Sequence, residues 1–188
     1  MRTDVLHRAR VTSLVAVALC AALVVVAPAA GSGSKRAADV PVARLLAARI
    51  AAVKRHDGGV PVLVPDSMAL DRPDFTASSA SPGRYRLEID GAEPCDGANV
   101  CLFALFTGVR GGKPYGGPVA LAHGIGGRYS PIQCGASCSP ASVDWVQGGV
   151  LYTIQANPAV ENRPGPAAGA VRAALVAAAD QAIAAGPR

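Results

Sequence analysis

Residues 143–155 read VDWVQGGVLYTIQ, and this stretch decides the fold. Two apolar-alternating runs, Val143–Gln147 and Val150–Gln155, flank Gly148-Gly149, a pair suited to the positive φ angles of a two-residue hairpin turn. That turn sets Trp145 opposite Tyr152 and Val143 opposite Ile154, so all four share one face. A hairpin with one apolar face needs neighbouring strands and a cover to be stable.

The neighbours lie upstream. Tyr85-Arg86-Leu87-Glu88-Ile89-Asp90 alternates cleanly, with one face buried and one wet. Val100–Val109 (VCLFALFTGV) is apolar on both faces and reads as a central strand. Gly111-Gly112-Lys113-Pro114 turns the chain, and Val119–His123 returns it. Val60–Val64 reads as a short strand at a sheet edge, because Pro61 lacks a ladder donor. Residues 65–83 contain three prolines and no clear period, and read as a long loop of the functional or mobile kind.

Two helices supply the cover. Over Val40–Arg55, Val42, Leu46, Ile50 and Val53 form a stripe at helical spacing, with Leu45 beside it and Pro41 in the first turn. Arg49 falls on the apolar side, where it either snorkels or pairs with a buried carboxylate. Pro166–Ala185 is alanine-rich, with Val171, Leu175 and Ile183 along one side and Gly186-Pro187 as its stop. The expected fold is α+β: an antiparallel sheet of five or six strands with an N-terminal and a C-terminal helix packed on one face.

The whole chain has 188 residues, 51% of them apolar and 16% charged, which excludes collagen-like, coiled-coil and wholly disordered classes. Arg2, Arg8 and Arg10 precede an uncharged run whose core is Leu14–Val26, followed by Ala27-Pro28-Ala29. This is the pattern of a secretory signal peptide over 1–29. The alternative is an uncleaved anchor, since Val11–Ala30 is long enough to span a bilayer. Residues 30–39 read as a flexible linker and 40–188 as one exported α+β domain, secreted or held in the cell envelope. Removing the leader's net +2 from the chain's +5 leaves +3. Lys35, Arg36, Arg44, Arg49, Lys54 and Arg55 concentrate positive charge within residues 35–55. They form either a solvated helix face or a peripheral contact with an anionic membrane surface. No basic-aromatic pattern for nucleic acid occurs.

Four cysteines follow the leader, Cys95 and Cys101, then Cys134 and Cys138. An even count in an exported chain reads as disulfides, and four cysteines allow three pairings. Each close pair brackets turn-forming residues, which favours Cys95–Cys101 and Cys134–Cys138. The spacings lack the C-x2-C knuckle of a zinc site and the C-x-x-C of a redox site, so neither metal nor cofactor is expected.

The residues nearest to a catalytic set are His123, Asp144 and Ser142, with Ser130 and Ser139 as other serines. His123 opens the run His123-Gly124-Ile125-Gly126-Gly127, which superficially resembles the His-Gly oxyanion loops of esterases. The G-x-S-x-G elbow is missing, and His123 on a strand face with Val119 and Leu121 reads in the first place as a buried structural histidine. Gly124–Gly127 fits no phosphate-binding pattern and reads as a turn or bulge.

The Cys95–Cys101 unit, the Cys134–Cys138 turn, Trp145 and Tyr152 across a glycine turn, and the closing Ala-rich helix occur together. In this the chain resembles small exported bacterial proteins of unknown function with a disulfide-containing α+β domain, over about residues 40–185. The resemblance implies location and architecture, and supplies no catalytic residues. The expected function is a non-catalytic secreted or envelope binding module for a protein or envelope component. Its surfaces would be the 65–83 loop, the uncovered sheet face and the cysteine turns. The alternatives are a small serine hydrolase using His123 and Asp144, and a protease inhibitor.

Overall fold

In the computed structural model the Gly148-Gly149 turn holds the hairpin in its expected register. Both glycines have positive φ, and Trp145 pairs with Tyr152 and Val143 with Ile154. Residues 38–70, 73–91, 101–135, 138–156 and 168–188 are described, all within one compact unit, Lys35–Arg188.

The chain begins with β1 (Ala38–Val40), then two short helices, α1 (Val42–Leu45) and α2 (Ala47–Val53). The strands β2 (Met68–Leu70), β3 (Phe75–Ser81), β4 (Arg84–Asp90), β5 (Leu102–Arg110) and β6 (Gly117–Ala120) follow. A 3-10 turn (Ala122–Gly124) precedes β7 (Gly126–Ser130), β8 (Gln133–Cys134), β9 (Cys138–Ser139), β10 (Ala141–Gln147), β11 (Val150–Ala156) and α3 (Ala168–Ala185). Seven strands form an antiparallel sheet in the order β3-β4-β5-β11-β10-β7-β6, while β1–β2 and β8–β9 are separate two-stranded pairs.

The count of seven corrects the five or six expected. Part of the 65–83 segment is not loop: Phe75–Ser81 pairs along its length with β4, and Met68–Leu70 pairs with β1. The presumed linker correspondingly ends in strand, since Ala38 and Asp39 belong to β1. Conversely, Val60–Val64 forms no ladder, although four of its residues are buried apolar side chains. Its backbone is satisfied otherwise. The Leu63 N–H donates to the Tyr85 hydroxyl (3.1 Å), which in turn donates to the Leu63 carbonyl (3.3 Å), and the Arg188 N–H donates to the Val62 carbonyl (3.0 Å). Burial holds the Tyr85 phenol far above its ordinary pKa, so it stays neutral and can donate.

Strand alternation sorts the sheet into two faces. Tyr85, Leu87 and Ile89 of β4, Ala104 and Phe106 of β5, Tyr152 and Ile154 of β11, and Val143 and Trp145 of β10 belong to one buried apolar cluster. The same cluster takes in Val42, Leu46, Ile50 and Val53 from the first helices and Val171, Leu175, Ala178, Ala179, Ala182 and Ile183 from α3. The helical stripe is therefore as expected, though it is split at Leu46 into two short helices instead of one. Hydrogen bonds from Leu46 N to Val42 O and from Ile50 N to Leu46 O carry the spiral through the break. Arg49 resolves as a polar contact, its Nε donating to Thr76 Oγ1 (3.3 Å). The alanines of α3 let its backbone approach the sheet closely, and Gly186 in the left-handed region ends it.

Cys134 and Cys138 are joined by a disulfide across the β8–β9 pair. Cys101 is also disulfide-bonded; Cys95, the partner expected for it, lies outside the described residues. No helix among the described residues is long and apolar enough to cross a membrane, and residues 1–29, expected to be a signal peptide, fall outside them.

Candidate functional site

The face of the sheet opposite the helices carries a polar row. The pairings bring Arg86 of β4, Thr107 of β5, Thr153 of β11, Asp144 of β10 and Arg128 of β7 side by side. Asp144 is on this face because Val143 and Trp145, its neighbours in β10, point to the helices.

The connection from β5 to β6 crosses this face as a strap. β5 and β6 are separated in the sheet by β11, β10 and β7, so residues 111–116 must pass over those strands. Glycine makes the close approach feasible. A Cβ on Gly112 would lie 2.7 Å from the Leu151 Cβ, and one on Gly116 (φ +111°) would lie 2.4 Å from the Tyr129 carbonyl oxygen. Three hydrogen bonds pin the strap. The Tyr115 N–H donates to Asp144 Oδ2 (3.1 Å), Ser130 Oγ donates to the Tyr115 carbonyl (3.4 Å), and Arg128 Nη1 donates to the Gly116 carbonyl (3.4 Å).

Asp144 is left 8% exposed beneath the strap. Burial raises its carboxyl pKa above the ordinary value, while the Tyr115 N–H and the nearby Thr153 hydroxyl act in the opposite direction. Its Oδ1 has no hydrogen-bond partner. Above it the Tyr115 side chain is displayed to solvent at 70% exposure, and Val146, two residues along the same face of β10, is 42% exposed. Lys113 and Arg128 stand exposed beside them.

The structure does not join the expected catalytic set. Ser142 and Asp144 do share the open face of β10, and Ser142 pairs with Ser130. His123, expected at a strand end, lies instead in the 3-10 turn beyond β6, exposed and in the left-handed region (φ 56°). Ser130 is four positions along β7 from Gly126, or roughly 13 Å of strand, and His123 lies beyond that. The turn is anchored to α3 by the Ala122 N–H, which donates to Asp180 Oδ1 (2.6 Å). Asp144 consequently orients the strap and forms no hydrogen bond with His123. Ser139 is in β9, exposed beside the disulfide. Among the described residues no cluster of three or more His, Cys, Asp or Glu could hold a metal ion.

Of the basic residues, Lys35 and Arg36 lie outside the described residues, Arg49 is engaged with Thr76, and Lys54 Nζ donates to the Arg188 carbonyl (2.8 Å). Arg44 and Arg55 are exposed.

The chain matches no protein-family model, no curated protein and no solved structure. The signal for the strap was present in the sequence as Gly111-Gly112-Lys113-Pro114-Tyr115-Gly116-Gly117, four glycines and an aromatic in seven residues. A simple turn needs fewer glycines than a segment lying flat on other strands.

Proposed function

We propose that this chain is a secreted or envelope-associated binding module that engages a protein or envelope partner through its open sheet face. The observation that carries the reading is the strap held over Asp144. Three hydrogen bonds and two glycines are committed to a segment whose aromatic side chain faces solvent. An exposed tyrosine on a rigid support, beside an exposed valine, is the composition of a contact hot spot, with Lys113 and Arg128 as its polar rim. Export rests on the leader, and the strap side of the sheet, where Tyr115 and Val146 are exposed, is the surface that the helices leave available.

The test replaces Tyr115 and Val146 together by serine in the full chain and compares co-purification from the producing cell's envelope fraction. Loss of a discrete, stoichiometric partner with an unchanged circular dichroism spectrum is the expected result. Equal recovery of the same partner by both chains would refute the assignment to this face.

A further inference from the structure

The two edges of the seven-stranded sheet are built differently. β6 has four residues, including Pro118, whose missing N–H blunts that edge against further pairing. β3 has seven residues, FTASSAS, with no proline, no charge and no break in its register with β4. Shortness and proline, two of the devices by which natural sheets protect an edge, are found in β6 and not in β3.

The Pro82-Gly83 turn closes on the Ser81–Arg84 pair, so the odd-numbered residues of β3 exchange hydrogen bonds with β4. The N–H and C=O groups of Thr76, Ser78 and Ala80 then point to the outer edge. Among the described residues no backbone group bonds to them there.

We propose that β3 is a self-association edge, which pairs antiparallel with β3 of a second copy of this chain about a two-fold axis at Ser78. The sequence of the strand is self-complementary in this arrangement. Phe75 faces the partner's Ser81, Thr76 the partner's Ala80, and Ala77 the partner's Ser79, so no like charges meet. On the helix side Arg49 of α2 contacts Thr76, so α2 lies along β3 on that face and leaves the outward backbone groups to the edge itself. The inference does not depend on the open face.

The experiment uses the full chain with Ser78→Cys, oxidised with copper phenanthroline and run on a non-reducing gel. Residues facing each other across a hydrogen-bonded antiparallel pair lie about 5.5 Å apart at Cα, within disulfide reach. A covalent dimer is expected from Ser78→Cys, and none from Lys113→Cys on the exposed strap. Adding Ser79→Lys, an exposed position where the two copies' lysines would be near neighbours, should cut the dimer yield by about half or more. Three results would each overturn the proposal: no dimer from position 78, an equal dimer from position 113, or a yield insensitive to Ser79→Lys.

Discussion

Asp144 works against the stability of the fold that contains it. A carboxylate with one oxygen bonded to the strap and the other unpartnered is costly to bury in its charged form. Asp90, 5% exposed, is raised in the same direction by burial and by its neighbour Glu88. Both groups bind protons more readily in the folded than in the unfolded chain. Their contribution is therefore fully present below the unfolded value of 3.8 and is lost as pH rises through the raised folded values. Asp144→Asn keeps an acceptor for the Tyr115 N–H and removes the charge. It should stabilise the protein by about 1 kcal/mol at pH 7, with a smaller gain at pH 4. Urea midpoints at the two pH values measure this, and a loss of stability at pH 7 would contradict it. Tyr85→Phe tests the opposite case. It strips the buried Leu63 N–H and C=O of their partner, and should cost about 1–3 kcal/mol by the same measurement.

At the scale of elements, the hairpin packs its largest side chains where backbone bulk is least. Gly108 lies opposite both Tyr85 and Tyr152, and a Cβ there would be 2.4 Å from Tyr85 Cε1. Gly108→Ala should lower stability by about 1–3 kcal/mol, read as a lower denaturation midpoint. Trp145, fully buried and stacked on Tyr152 at 5.4 Å, should cost about 3–5 kcal/mol when cut to Ala. These same elements were the most legible in the sequence, because strict alternation and a Gly-Gly turn admit few alternatives. β3 was not legible, since FTASSAS lacks an apolar period and is held by its ladder to β4 more than by burial. Val60–Val64 misleads in the converse way. Its apolar run is buried, but a tyrosine hydroxyl and the N–H of Arg188 satisfy its backbone in place of a neighbouring strand. Asp144 was named in the sequence as a partner for His123, whereas the group it accepts from is a strap N–H that no local pattern reveals.

For the whole molecule, the arrangement separates stability from display. The helices and the apolar cluster occupy one face, while the strap, Tyr115 and Val146 occupy the other. Export is checked by the mass of the protein recovered outside the cytoplasm, which should begin at Ala30 if the leader is removed after Ala29. The central claim, contact through the open face, is tested most directly by site-specific photo-crosslinking in the producing cell. A benzophenone amino acid is placed at Tyr115 and, in a separate variant, at Ala48 on the exposed side of α2. The account predicts a discrete heavier adduct from position 115 and none from position 48. An adduct confined to position 48, or none from position 115 in a chain that folds normally, would contradict it.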